Sequence, residues 1–327
     1  MKKVFVTGGT GFLGRHLVEA LLKENNSVKI LVRETSNIEG LRNKSVEIVY
    51  GDIENISTLR DDLKDIESLY HCAADTRSTS RDKLFRTNVE GTKNVCQAAL
   101  EAKVQKLIFV SSSSVLGGNK ELPLKDNIPY AATTEYARSK VEAEKVVISY
   151  RDKGIKSTII RPAMIYGDYG QTELLNTILR LIKKRLLPII SDNNARWQLA
   201  YIQNVADAMV SAGKSNVSSG CYLIADKEVL TVKEIITLLA NSLGVNSPVQ
   251  ISKKTALNIT KCCRFIYKIG LIKNPFLPRI LEFFIQNNLY DITPAVKELG
   301  YAPSVTTADG LQIMAKDWLK WTYKNKQ

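Results

Sequence analysis

The sequence is short of the residues that bind metals or staple a chain. Its five cysteines are odd in number, Cys262 and Cys263 are adjacent, and no C-x-x-C pair or zinc-ligand spacing occurs. There are only two histidines, His16 and His71. A disulfide scaffold and a zinc site are therefore excluded as organising principles, and no metal is expected. None is needed for folding, because 327 residues can bury a full hydrophobic core. Long apolar runs are missing too, far short of the ~20 residues a membrane-spanning helix requires. Met1-Lys2-Lys3 leads straight into a strand-like segment, without the apolar stretch and cleavage site of a signal peptide, so a cytoplasmic protein is expected. Acidic residues are in the minority, 33 against 46 lysines and arginines, for a net charge of +13. That balance would suit a nucleic-acid binder or a membrane-surface protein. The basic residues are scattered, however. The one tight cluster, Lys183-Lys184-Arg185, sits in an apolar helical stretch with no nucleic-acid-binding motif beside it, and reads as a solvated helix face. No nucleic-acid partner is expected.

What the sequence does have is alternation. From Lys2 to about Arg161, short β-branched runs alternate with helical stretches, the pattern of parallel strands joined by crossover helices. The runs predict strands at Val4–Thr7, Val28–Val32, Val46–Val49, Ser68–His71, Lys106–Val110 and Ser157–Arg161. Apolar residues at three- and four-residue spacing predict helices at Leu13–Lys23, Thr58–Leu63, Val89–Ala102 and Tyr136–Lys153. Beyond Pro162 the alternation loosens into a helix near Glu173–Arg185, a strand at Trp197–Ile202, a helix at Val205–Ala212, a strand at Cys221–Ile224 and a helix at Val232–Leu243. Part of this stretch, near 197–225, is expected to rejoin the main sheet. The rest, Thr255–Gln286 in particular, is expected to form a smaller domain interleaved with the first.

Val4-Phe5-Val6-Thr7-Gly8-Gly9-Thr10-Gly11-Phe12-Leu13-Gly14 is a hydrophobic strand entering a glycine-rich turn and then a helix. Glycines there let the backbone approach a pyrophosphate seated on the helix N-terminal amides, so Gly8, Gly11, Phe12, Leu13 and Gly14 are expected to bind a dinucleotide. The end of the second strand selects between NAD and NADP: an acid bonds the ribose 2′-hydroxyl, an arginine receives a 2′-phosphate. Here Val32-Arg33-Glu34 favours NADP(H) through Arg33, while Glu34, one residue later, leaves NAD(H) open. Asp52 and Ile53 follow the third strand, where an aspartate can accept from the adenine amino group, although the same pair would serve as a turn and helix cap. Ala73 and Ala74, after His71-Cys72, are small enough for the chain to pass close to the ribose and nicotinamide. His71 itself reads as structural, and His16 the more so.

Tyr136-Ala137-Arg138-Ser139-Lys140 sets a phenol and an ammonium four residues apart, on one helix face. A lysine cation beside tyrosine favours the phenolate, so Tyr136 could exchange a proton with a substrate oxygen while hydride moves to or from a nicotinamide. Lys140 is expected to bond the nicotinamide ribose as well. Upstream, Ser111-Ser112-Ser113-Ser114 close the fifth strand, placing hydroxyls where ligands of such sheets bind.

Together with Asn88-Val89-Glu90-Gly91-Thr92 and Arg161-Pro162-x-x-x-Tyr166-Gly167, these motifs occur in a family's order over nearly the whole length. The chain resembles the extended short-chain dehydrogenase/reductases, the NAD-dependent epimerase/dehydratase family. Leu31-Val32-Arg33-x-Thr35-Ser36-Asn37 and Tyr201-Ile202-x-Asn204-Val205-Ala206-Asp207-Ala208 resemble most its branch of dihydroflavonol reductases and 3β-hydroxysteroid dehydrogenases. The resemblance implies a Rossmann-type, doubly wound parallel α/β sheet with a smaller, interleaved C-terminal substrate domain. Residues 1–165 would bind NAD(P), and 166–327 mainly substrate. It implies Ser112 as the catalytic hydroxyl, with Ser111 and Ser113 as near competitors, and Ser112, Ser113 and Tyr136 against the substrate. It also implies Asn88 as a brace for the active-site helix, although a helix cap would look the same, and Pro162 as a wall of the nicotinamide site. Ser113-Ser114 stand where sugar dehydratases of the family carry an Asp-Glu pair, which removes the acid and base of that elimination.

The expected function is an NADP(H)-dependent oxidoreductase moving hydride between nicotinamide and a small-molecule secondary alcohol or ketone. A nucleotide-sugar epimerase with retained NAD and a cofactor-sensing binding protein are the alternatives. Ile259–Gln286 mixes many large apolar residues with basic ones. It reads as core, as a lid over a lipophilic substrate, or as an amphipathic surface resting on a membrane. Peripheral membrane contact and a homodimer both stay open as expectations.

Overall fold

Seven short strands build one sheet: β1 (Lys3–Thr7), β2 (Ser27–Val32), β3 (Val46–Tyr50), β4 (Ser68–His71), β5 (Lys106–Val110), β6 (Ser157–Pro162) and β7 (Gly220–Ile224). β4 and β6 are buried at every residue, and β1 from Val4 to Thr7, the pattern of strands covered on both faces. All pair in parallel, in the order β7-β6-β5-β4-β1-β2-β3. The order reverses between β1 and β4, which is where doubly wound sheets open a crevice at the strands' carboxyl ends. The computed structural model describes residues 1–168, 172–271 and 280–324.

Helices α1 (Phe12–Lys23), α2 (Gly91–Glu101), α3 (Glu135–Arg151) and α4 (Ile202–Lys214) lie between strands in the chain, and α5 (Thr293–Leu299) follows the last of them. α1 packs on α4, and α2 on α3. Each presents an apolar stripe inward; α1 buries Leu13, Leu17, Val18 and Leu21. The main core joins Phe5, Leu69, Leu107, Phe109 and Ile159 from the sheet to Val95 and Ala98 of α2 and Ala143 and Val147 of α3. Truncating a side chain such as Phe109, fully buried here, would cost roughly 3–5 kcal/mol.

Two expectations change. The helix predicted over Thr58–Leu63 is a pair of single 3-10 turns, Ile56–Thr58 and Asp61–Leu63. The Thr58 hydroxyl bonds the carbonyls of Asp52 and Asn55, and the Asn55 side chain accepts from the Ser57 amide, local bonds that compete with a helix. The strand predicted over Trp197–Ile202 is two short pairings, Arg196–Trp197 and Ala200–Tyr201, with Ile202 already in α4. Between them the Gln198 side chain donates to the Asp226 carbonyl, and the Asp226 carboxylate takes the Tyr201 amide.

The chain divides into two units, each assembled from separate stretches. The first comprises Met1–Met164, Ile202–Ala225 and Tyr290–Ser304, and holds the whole sheet. The Tyr290–Ser304 stretch, which no strand or helix pattern announced as a return, packs α5 on β7 and bonds Tyr222 to Glu298 at 2.6 Å. The second unit takes the described residues between those stretches and from Val305 onward. It contains helices Glu173–Lys183, Val232–Ser242, Lys253–Lys268 and Thr307–Lys324, with three two-residue strand pairings. A Thr231–Glu234 capping box starts its Val232–Ser242 helix. The Trp197 ring packs edge-on against Phe283 and Phe284, at 4.6 and 5.3 Å between centroids.

Candidate active site

The glycine turn after β1 is tight enough that side chains would not fit. Gly8 has φ +73°, and a Cβ there would lie 2.6 Å from the Ala73 amide nitrogen; one on Gly14 would lie 2.1 Å from the Gly8 carbonyl oxygen. Gly11 caps α1 without a side-chain hydrogen bond, leaving the first-turn amides without a side-chain acceptor. A bare backbone at a helix N-terminus is the surface a pyrophosphate requires, so the residues present fit a dinucleotide.

Around this turn the strand ends carry the expected neighbours. Arg33, just past β2, is exposed and its guanidinium makes no hydrogen bond or ion pair among the described residues. Its backbone is fixed by a turn in which the Arg33 amide donates to the Ser36 hydroxyl and the Ser36 amide to the Arg33 carbonyl. Past β3, Asp52 accepts the Glu54 amide at 2.9 Å, so part of this carboxylate serves its own turn, while Ile53 is buried against Gly91. Ala73 and Ala74 are half-buried beyond β4. Pro162 ends β6 and is buried.

His71 lies between two threonines, 2.7 Å from Thr7 and 3.0 Å from Thr92, and is wholly buried. Burial first, then the Lys140 charge, hold its pKa down to about 3. It stays neutral and structural.

Ser112, Tyr136 and Lys140 come together at the carboxyl end of β5. Ser112 caps the short turn Ser113–Leu116: its hydroxyl accepts the Ser114 amide at 3.2 Å and the Ser114 hydroxyl at 2.9 Å. Thr134 caps α3, its hydroxyl accepting the Ala137 amide, so Tyr136 sits in the first turn and Lys140 one turn further in. Lys140 is buried; its Nζ donates to the Val110 carbonyl at 2.6 Å and lies 4.3 Å from the centre of the Phe109 ring. Burial brings its pKa down to about 8, and Glu144 opposes the shift.

The half-buried Tyr136 phenol is pushed up to about 12 by loss of solvent, against a hydrogen bond with Ser112 that pulls it down. The sequence had suggested that Lys140 would draw the phenol toward phenolate. In this structure those two effects govern the phenol, and the ammonium bonds a backbone carbonyl instead.

Behind the pair stands a polar brace. The helix that ends in α2 widens to a π turn over Arg86–Glu90, a feature often found at functional sites, and Asn88 lies in it. The Asn88 side chain accepts the Asp75 amide at 2.7 Å and donates to the Asp75 carbonyl and the Ser139 hydroxyl, each at 2.9 Å; Ser139 donates to the Tyr136 carbonyl at 2.7 Å. Asn88 is thus a tie between the β4 loop and α3, with Ser139 as the link. The sequence placed Ser139 between Tyr136 and Lys140, which could have marked it.

Two residues had no local signal. The Ser113 hydroxyl donates to the Tyr290 phenol at 3.3 Å, across 177 positions of sequence. Tyr290 packs against Val115, Leu116, Leu124, Val141 and Leu223. Asp126 accepts the Leu223 amide, its second carboxylate oxygen is buried without a partner among the described residues, and burial raises its pKa to about 7. The Ser111 hydroxyl is likewise buried and without a partner among the described residues.

No group of metal ligands exists among the described residues. Ile272, Lys273, Phe276, Leu277 and Arg279 of the apolar Ile259–Gln286 stretch lie outside them.

The model of the NAD dependent epimerase/dehydratase family matches residues 4–225. A 4-hydroxy-2-methyl-3-oxo-4-farnesyl-3,4-dihydroquinoline-1-oxide ketoreductase of Stigmatella aurantiaca is 26% identical over 95% of both chains. A 3-beta-hydroxysteroid dehydrogenase of Mycolicibacterium neoaurum is 27% identical over 94% of this chain and 89% of its own. Among solved structures, UDP-glucose 4-epimerase of Thermotoga maritima with UDP-glucose superposes with a TM-score of 0.77 at 20% identity, covering 98% of this chain and 99% of its own. At that identity the likeness is one of fold.

Proposed function

Because the chain belongs to the NAD dependent epimerase/dehydratase family and is an NAD(P)-dependent enzyme, we propose that it is an NADP(H)-dependent reductase of a lipophilic ketone, with Tyr136 as the proton donor. The observation that carries this reading is the cluster at the end of β5: Ser112, the Tyr136 phenol in the first turn of α3, and Lys140 buried one turn further on with its Nζ on the Val110 carbonyl. When bound, the nicotinamide supplies or takes up hydride. Ser112 holds the reacting oxygen. Tyr136 gives its proton to that oxygen as negative charge builds there, a favourable transfer since an alkoxide is more basic than even this phenol. Lys140, anchored on Val110, is within the buried layer where a ribose hydroxyl would replace or join the carbonyl as its acceptor. For the reverse reaction, alcohol oxidation, the phenol would have to lose its proton first, which its burial opposes.

NADP(H) is favoured over NAD(H) by the exposed guanidinium of Arg33 just past β2, which has no ion pair among the described residues. The lipophilic substrate class is supported by the two relatives, named for a farnesyl-bearing ketone and for a hydroxysteroid. It is supported also by Leu116, fully buried in the apolar cluster beside the serines, where many sugar epimerases of the family carry tyrosine.

The test is a panel of lipophilic ketones and UDP- or GDP-sugars, followed by nicotinamide absorbance with NADPH and NADH side by side, with bound cofactor analysed after denaturation. Reduction of ketones, with a Michaelis constant that falls as the hydrocarbon body grows, is the expected result. Epimerisation of a nucleotide sugar with tightly retained NAD, and indifference to apolar substrates, would replace this reading with the epimerase one.

A further inference from the structure

The Lys253–Lys268 helix is buried at only two residues, Ala256 and Thr260, although it is 16 residues long. Its sequence resolves into three lengthwise stripes, set by the 3.6-residue turn. Ala256, Thr260 and Cys263 form the stripe turned inward. Lys254, Lys261, Arg264 and Lys268, all exposed, form a second, basic but for the half-buried Leu257. Ile259, Cys262, Phe265 and Ile266, continued by Ile269, form a third, and it is largely uncovered: Phe265 is 64% exposed, Ile269 54% and the following Leu271 76%. Arg264 is paired with Glu282, whereas Lys254, Lys261 and Lys268 have no ion pair among the described residues. Between Glu234 and Glu282 the sequence contains no aspartate or glutamate at all.

An exposed aromatic and aliphatic stripe alongside a stripe of unneutralised lysines is what a helix lying in the plane of an anionic bilayer presents, its apolar face among the acyl chains and its ammonium groups at the phosphates. A second copy of the chain is the wrong occupant. It would bring the same acid-free, basic stripe and a further +13 of net charge to the contact.

We propose that the Lys253–Lys268 helix, with Ile269 and Leu271, docks the protein on anionic lipid surfaces. This goes beyond the catalytic reading. It concerns where the enzyme works, and it is measured without turnover.

The experiment is vesicle co-sedimentation of the full chain with phosphatidylcholine alone and with an equimolar mixture of phosphatidylcholine and phosphatidylglycerol, at low and physiological salt. Partitioning at least about tenfold stronger onto the anionic vesicles is expected, weakening with salt. Lys254→Gln/Lys261→Gln/Lys268→Gln should lose partitioning on the order of a hundredfold. Phe265→Ser/Ile269→Ser/Leu271→Ser should lose about tenfold or more at physiological salt, where charge alone is screened. Both variants should melt as the wild type does, since every changed side chain is exposed.

Wild-type protein left in the supernatant with anionic vesicles, or a lysine variant that partitions like the wild type, would overturn the proposal. So would a concentration-dependent dimer in light scattering that the Phe265→Ser/Ile269→Ser/Leu271→Ser variant abolishes, because the stripe would then belong to a second copy. Failure here leaves ketone reduction untouched, and failure of the ketone panel leaves the partitioning result standing.

Discussion

A tyrosine held above its usual pKa stays protonated at neutral pH, so it is present as a proton donor, though a weaker acid than a free phenol, and that state governs what single substitutions should do at this site. Tyr136→Phe removes one proton and keeps the ring; ketone reduction should fall by about 10²–10⁴-fold while the NADPH dissociation constant changes little. Stopped-flow turnover and a fluorescence titration separate the two, and near-wild-type turnover in the variant would refute the mechanism. Lys140→Ala should weaken both, because the same ammonium that sits 2.6 Å from the Val110 carbonyl is the one expected to reach the ribose. Arg33→Ala should raise the NADPH dissociation constant about tenfold or more and leave NADH almost unchanged, on the ~1.5–3 kcal/mol of a charge-assisted bond. Equal losses on both cofactors would transfer attention to Glu34. These residues could be found in sequence because each sits beside a local signature, a glycine turn, a strand end or a four-residue helical spacing. The state of the phenol could not. It depends on desolvation and on Ser112, and neither is a matter of spacing.

Elements hold the site through contacts that local pattern does not encode. Asn88 reaches from a π turn to Ser139 of α3 and to both backbone groups of Asp75, and it is buried. Asn88→Leu keeps the volume but strands those partners; a loss of roughly 2–4 kcal/mol in urea unfolding is expected, with Ser139→Ala losing less. A change within about 0.5 kcal/mol would show that water takes over the bonds. Asp126, in the loop before α3, carries a charge the fold disfavours. Burial raises its pKa from 3.8 to about 7, helped by Asp291 and Glu298 and opposed by the Leu223 amide and by Arg161. The folded state therefore binds a proton more readily than the unfolded chain between these values. This group's contribution to stability is present at about pH 4, is lost as the pH rises toward 7, and stays lost above it. Asp126→Asn, which cannot ionise, should be more stable than the wild type above pH 7, on the order of 2–4 kcal/mol, and no more stable near pH 4. Denaturant midpoints across that range read the difference, and a gap that does not vary with pH would disprove the assignment.

At the scale of the whole molecule, the six strands from Lys3 to Pro162 were legible because each is a short apolar run between turn residues. The parallel order followed from the helices between them. What was not legible depends on distance along the chain. The Tyr290–Ser113 hydrogen bond, the Asp126–Leu223 bond and the Tyr222–Glu298 bond that ties Tyr290–Ser304 into the first unit join residues 177, 97 and 76 positions apart. No window of periodicity spans that. The Lys253–Lys268 helix shows the converse: its amphipathic pattern was visible, but only exposure distinguishes an uncovered stripe from core. The discontinuous first unit also matters while the protein is being made. When the ribosome has released only Met1–Met164, β6 is an open sheet edge, and β7, which will close it, has yet to be translated. Until Tyr290–Ser304 follows, α5 cannot settle on β7. The first unit therefore cannot finish folding until its third stretch has been made, and while the chain between Pro162 and Gly220 is being translated the unpaired β6 is an edge to which another nascent chain can add.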